Sequence, residues 1–412
     1  MMHLQQRILR FLFIIPVLLF FSGCPGDRST TLVLTTDRPE MAVVAEMFNA
    51  EQDEYKIELV LHTRPARGTD YDIIFSEYLP SVALIDQFLP LDDLFSKGYI
   101  DKNQFYTDSL QAGIFEEKQV LLPVSFTIPA VLLLSGAVPD ETGGSQISLS
   151  TLLEESRLYN ETSTTRFPAR GFSPLWSTEF LYLITRLHNT NFRESSEGSL
   201  VWNNMNLERS LEYIRDWVYT MNGGLEEENR FKETYLYDPG YKLVYSGRIR
   251  FYPVEYQKFL LIPADIQRNV DFRWVSDGTR IPVHENMVYA GVVRKPGNRK
   301  AAIAFMSWFF QESTQEKILE SLQFKRIRSF GVAGGFSSIR RVNELILPKY
   351  YPGIAGRVPA PGQLSFPPAL PANWYRIKSE VVIPFINETI LSTGSVESLD
   401  QRLLTWYSQQ AK

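Results

Sequence analysis

The chain is poor in the residues that carry most side-chain chemistry. It has one cysteine, Cys24, and four histidines in 412 residues. A lone cysteine excludes an internal disulfide and any metal site built from several thiolates. Beyond Cys24 only His62, His188 and His284 remain, and none stands at H-E-x-x-H or comparable spacing, which argues against a zinc hydrolase. Gly171-Phe172-Ser173-Pro174-Leu175 lacks the second glycine of a nucleophile elbow, and no Gly-Lys-Ser/Thr follows the glycines at 331–335 as a phosphate loop requires. No cofactor motif is present, so no cofactor and no metal are expected. No apolar run reaches the roughly 20 residues of a membrane-spanning helix. Blocks of like charge are absent too, and 42 basic against 47 acidic residues give a net charge of −5, with no reason to expect nucleic-acid binding. With 47 acidic residues, the carboxylate pair of a glycosidase stays open on composition alone.

What the chain has is aromatic residues, 13% of the total with 20 Tyr and 7 Trp. Aromatics fill cores first, and surplus Tyr and Trp also suit the apolar faces of sugars. At the start, Arg7 and Arg10 precede the apolar run Phe11 to Phe21, which Pro16 interrupts. This suits the hydrophobic region of a signal peptide. The following Phe21-Ser22-Gly23-Cys24 resembles a bacterial lipobox. That resemblance implies a leader over 1–23, lipidation of Cys24, and a short linker over 24–30. The alternative is an ordinary signal peptide with an incidental cysteine.

The organising stretch comes next. Leu32, Val33 and Leu34 form a short apolar run of the kind buried in a parallel sheet. Thr35, Thr36, Asp37 and Arg38 break it, and Met41, Val44, Ala45 and Phe48 then recur on one helical face. A strand, a polar loop and a helix N-terminus in this order place Asp37 and Arg38 at the carboxyl edge of a sheet, where open α/β folds bind ligands. Asp37 with Glu40 also reads as an acidic capping box, the alternative role for Asp37. Lys56 to Leu61 is a second strand. Asp70 to Phe75 is a third, ending in the polar Ser76-Glu77-Tyr78. These steps predict a doubly wound α/β lobe. Val120 to Phe126 leads through Ile128-Pro129 into another apolar strand at Ala130 to Leu134. Residues 148–221 read mainly helical, and 285–293 as a strand. The helix at 301–319 carries Trp308 on its core face. Gly331 to Ser338 reads as a flexible crossover, 348–371 as a proline-rich extended wrap, and 377–390 as a late helix.

The ordered set Thr35 to Glu40, Asp72 to Phe75, Leu89 to Asp101, Leu122 to Phe126, Val288 to Phe310 and Ala372 to Ile390 resembles the extracellular solute-binding proteins, family 1, of bacterial ABC importers. This is the carbohydrate-binding, maltose-binding-protein-like group. Leu134-Ser135-Gly136 and Ser246-Gly247-Arg248-Ile249-Arg250 depart from the patterns usual there. The resemblance implies a two-lobed α/β periplasmic-binding-protein fold with a hinge of crossing segments. Lobe I is expected over 31–126 and 285–331, lobe II over 127–284 and 332–412. It also implies a monomeric, non-enzymatic protein of the cell envelope, held to a bacterial membrane by its lipid. Such a protein captures a sugar or oligosaccharide between the lobes and delivers it to an ABC permease. The alternatives are a non-sugar solute, or a lipoprotein of the same fold serving as a surface adhesin or a sensor's partner.

By matched position, Asp37, Arg38, Ser76 and Glu77 are expected to bond sugar hydroxyls through charge-assisted hydrogen bonds. Trp374 and Tyr375 are expected to stack on a pyranose, with packing under the proline-rich wrap as the alternative. Tyr252 and Tyr256 are candidates from the second lobe, with core packing as theirs. Ser125 and Phe126 are expected on the hinge side of the cleft, and Glu344 as a solvated helix residue.

Overall fold

The computed structural model describes residues 30–62, 70–138, 145–164, 168–295 and 297–410. The expected leader, Cys24 and nearly all of the linker lie outside these residues. In chain order, the strands that position the site are β1 (Thr30–Thr36), β2 (Tyr55–Leu61), β3 (Ile73–Glu77), β4 (Leu122–Phe126), β5 (Ala130–Leu134), β6 (Gln146–Ser148), β7 (Tyr252–Val254), β8 (Val270–Ser276), β9 (Ile281–Pro282), β10 (Val288–Val292), β11 (Phe336–Ser337) and β12 (Leu364–Ser365). The helices that matter are α1 (Met41–Glu51), α2 (Val82–Ile85), α3 (Thr178–Leu187), α4 (Arg299–Phe309) and α5 (Glu312–Phe324).

Two sheets divide the molecule. The first has six strands in the order β11-β4-β10-β3-β1-β2. Here β1 pairs in parallel with β2 and β3, while β10 runs antiparallel between β3 and β4. The middles of its central strands are apolar because helices cover the sheet. Ile73, Ile74 and Phe75 are fully buried, and Phe75 packs edge-on against Phe309 of α4. The second sheet has four strands in the order β7-β5-β8-β6. A largely helical core lies behind it, with the Phe172 ring in edge contact with both Phe180 and Trp217. The fold is thus mixed α/β in two lobes, each a sheet flanked by helices.

Three segments link the lobes and run side by side. Residues 127–129 join β4 to β5, and 283–287 join β9 to β10. The third is the proline-rich wrap, whose β12 pairs in parallel with β9. His284 donates its backbone N–H to Thr127 at 2.9 Å, and Val283 to Ser365 at 2.9 Å.

Two expectations differ from this arrangement. The glycines at 331–335 do not cross between lobes: Val332 and Gly335 close a tight turn and β11 rejoins the first sheet. Gly331 has φ of +64° and a Cβ there would lie 1.9 Å from the Gly335 carbonyl, so the glycines serve the turn itself. Helical residues 342–350 then pack on α5, so the first lobe continues well past residue 331. The chain returns to the second lobe along the wrap, beyond Tyr351. The second difference concerns α1. Its N-cap is Glu40 with no side-chain cap bond, so Asp37 lies a turn too early to form a capping box.

Candidate ligand-binding site

The carboxyl ends of β1 and β3 lie side by side because the strands are parallel neighbours, with Thr36 paired to Phe75. That register brings Asp37 and Arg38, just beyond β1, against Ser76 and Glu77 at the end of β3. Arg38 donates through Nη2 to Glu77 Oε1, and its Nε lies 3.3 Å from Asp37 Oδ1. Asn286, on the second linking segment, donates to the same Glu77 oxygen at 3.2 Å. Burial dominates the electrostatics here. It pushes the Glu77 carboxyl up to about 7 against the pull of Arg38. Burial also raises the Asp37 carboxyl, again opposed by Arg38.

Between the lobes lies a cleft of about 1160 Å³. The first lobe contributes Arg38, Glu40 and Tyr78, and the turn at 331–335 puts Gly334 close to Glu40 and Arg38. The second lobe contributes Trp176, Glu179, Tyr252 and Glu255, and the linking segments contribute Ser125 to Pro129 and His284 to Asn286. Ser125 Oγ donates to the Ala333 carbonyl at 2.9 Å, fixing the glycine turn to the cleft wall. Opposite walls touch at two flanks. Gln257 donates to the Arg328 carbonyl at 2.7 Å and accepts from the Phe330 N–H. On the other flank, Glu194 accepts from Ser81 Oγ and Val82 N, both at 2.8 Å.

One wall of the cleft is an ion cluster that the sequence pattern did not reveal, enclosed at Lys378 and Glu285 and exposed at Glu179. Lys378 lies 2.5 Å from both Glu285 and Glu179, and Arg186 lies 3.9 Å from Glu285. Burial alone would raise the Glu285 carboxyl. Lys378 and Arg186 outweigh it and hold the group down at about 2. The Lys378 ammonium loses by burial and gains more from Glu285 and Glu179, so it stays charged. A usable signal was the position of Lys378 one helical turn after Trp374, at i+4 on the late helix.

The expected site residues fall in three groups. Asp37, Arg38, Ser76 and Glu77 are brought together, and Tyr375 and Tyr252 line the inter-lobe space. Ser125 and Phe126 line it at the linking segments. Tyr256 reaches the cleft but is buried, with its ring against Phe330, Phe272 and Phe259. Trp374 is a correction. It is 0% exposed and its ring packs on Tyr182 and Phe192, so it anchors the late helix in the core of the second lobe. Two successive helical residues differ by about 100° in direction, so with Tyr375 toward the cleft Trp374 turns inward. Trp308 is half-buried, packs on Phe48 and donates to Glu51 at 2.8 Å, and Glu344 is exposed. Among the described residues, no three His, Cys, Asp or Glu side chains are placed to hold a metal ion, and no helix is long and apolar enough to cross a membrane.

The fold is that of the MalE-like, two-lobed solute-binding proteins. No protein-family model and no curated protein sequence matches the chain. Solved structures do. The sugar-binding protein MalE of Xanthomonas citri superimposes with a TM-score of 0.65 at 11% identity, over 92% of this chain and 96% of that one. An ABC substrate-binding protein of Listeria monocytogenes, in complex with cycloalternan, gives 0.59 at 14%, over 92% and 98%. The cyclic α-maltosyl-1,6-maltose binding protein of Arthrobacter globiformis gives 0.59 at 15%, over 91% and 96%.

Proposed function

We propose that the chain is the substrate-binding component of an ABC importer, of the carbohydrate-binding family 1 type, and that it captures a sugar or oligosaccharide between its lobes. The observation that carries this is the cleft itself, about 1160 Å³ walled by both lobes and by two of the segments that link them, 127–129 and 283–287. Charged and hydroxyl groups stand beside Tyr78, Trp176, Tyr252 and Tyr375, a mixture suited to a ligand with a polar rim and apolar faces. The structural neighbours are named as sugar receptors, which supports the same reading.

In this reading Asp37, Arg38, Ser76 and Glu77 bond hydroxyls from the first lobe, while Tyr375 and Tyr252 offer ring faces. A ligand touching both walls favours the closed state over the open one and shifts the population accordingly. The closed form is what a membrane permease would receive. Lipidation at Cys24 would hold the protein at the envelope membrane, as a monomer. The role is binding, not catalysis.

The test is a thermal-shift screen of the protein, refolded from denaturant to strip carried-over ligand, against mono- and oligosaccharides with amino acids, peptides and phosphate as controls. A bound sugar at a hundredfold excess over its dissociation constant should add about 2.7 kcal/mol of stability. Shifts only among the controls would keep the fold and discard the sugar.

A further inference from the structure

The two flanks of the cleft are built differently. Beside the linking segments the lobes share one core. Tyr256 and Trp274 of the second lobe meet Phe330 and Phe336 of the first, and Phe336 stacks on Phe126. Gln257 lies on this side, bonded to the backbone of Arg328 and Phe330. Parting the lobes here would expose buried rings, so this flank serves as the pivot. At the other flank the cores stay separate. Leu79 and Leu84 belong to that of the first lobe, Phe192 and Trp374 to that of the second.

The contact that joins this second flank centres on Glu194. Its Oε1 accepts from Ser81 Oγ and its Oε2 from the Val82 N–H, both at 2.8 Å. The Ser81 hydroxyl is 0% exposed and accepts in turn from the Ala372 N–H of the second lobe at 3.1 Å. These three hydrogen bonds cross between the lobes, and rigid surroundings aim them. Ser81 is the N-cap of α2. Glu194 lies two residues beyond Phe192, whose ring packs on Trp374, and its own N–H is held by the Ala369 carbonyl at 2.8 Å. Tyr78, three residues before Ser81, has a left-handed backbone with φ of +55°, uncommon for a residue with a side chain. Its ring lies against the core of the second lobe, so the closed arrangement supplies the packing that holds this strained conformation. Burial raises the Glu194 carboxyl against the pull of its two donors, which makes the contact a reversible clasp and not a lock.

Resting on the two-lobed capture described above, we propose that the contact of Glu194 with Ser81 and Val82 is a latch that holds the lobes together before any ligand arrives, so that the empty protein already populates the closed form. A ligand that needs the closed form binds more weakly in proportion to the fraction of protein that is open, and the latch removes part of that cost. It also slows release, because it must part before the ligand leaves.

The test is small-angle X-ray scattering of the purified protein, stripped of ligand by refolding, as wild type, Glu194→Ala and Val82→Pro. Val82 is the first residue of α2, where proline is tolerated, and Ser81 before it is extended (φ −151°, ψ 139°), as a residue preceding proline should be. Val82→Pro therefore deletes one donor of the latch and leaves the helix in place. The expected result is a wild-type curve that fits the closed structure and a larger radius of gyration in both variants. Each lost bond to the carboxylate should lower the closed-to-open ratio about tenfold. A wild-type curve that fits only separated lobes overturns the latch, and so do equal radii for wild type and the folded variants. If Glu194→Ala does not fold, Val82→Pro and the wild-type curve decide. No sugar is present in this measurement, so failure of the sugar reading leaves its outcome unchanged.

Discussion

Lys378 on the late helix and Glu285 on the second linking segment form an ion pair at 2.5 Å, with side chains only 8% and 4% exposed. The pair ties the linking segment to the second lobe, and Glu179 and Arg186 of α3 complete it. Replacing a buried pair by apolar groups can be neutral, but removing one partner strands the other charge. Glu285→Ala should therefore destabilise by about 3–5 kcal/mol in urea unfolding. The double replacement Glu285→Leu with Lys378→Met should recover a large part of that loss. Equal loss in both variants would mean that packing, not charge, is what Glu285 supplies.

Two glutamates should tilt the pH dependence of stability in opposite directions. Glu285 is held at about 2 in the fold against an ordinary 4.5, so its contribution is complete above 4.5 and is lost as pH falls toward 2. Glu77 is raised to about 7 from 4.5, so the folded state holds its proton more tightly, and stability is lost as pH rises from 4.5 through 7. Melting temperatures across this range should show Glu285→Gln flattening the acid limb and Glu77→Gln flattening the fall toward neutrality. Unchanged limbs in both variants would contradict these assignments.

Neighbours in sequence should separate by phenotype. Trp374 lies in the core and Tyr375 borders the inter-lobe space. Trp374→Ala should cost about 3–5 kcal/mol of stability, the usual range for a buried aromatic. Tyr375→Ala should leave stability within about 1–2 kcal/mol and weaken sugar binding instead. Parallel melting and titration of the two variants checks both halves.

Much of this could be read from the chain. Leu32 to Leu34 and Ile73 to Phe75 showed buried parallel strands, and the polar residues after each strand showed which edge would carry the site. What escaped depended on contacts distant in sequence. Trp374 and Tyr375 look alike as aromatic candidates, and only the rings of Tyr182 and Phe192 show which one is enclosed. The glycines at 331–335 suit a crossover or a tight turn equally by φ freedom, and the pairing of β11 with β4 decides for the turn. Glu194 and Lys378 sat unremarked among many charged residues, because what gives them meaning is a partner more than 90 residues away.

The central claim is that a sugar is held between the lobes by the Arg38 corner. Titration calorimetry of the strongest sugar from the screen, on ligand-free wild-type protein and on Arg38→Ala, tests it most directly. Saturable one-to-one binding, weakened about tenfold to a hundredfold in a variant that still folds, is the predicted result, since a hydrogen bond from a charged group is worth about 1.5–3 kcal/mol. Binding that is indifferent to Arg38→Ala, or no heat from any sugar with folded protein, would contradict it.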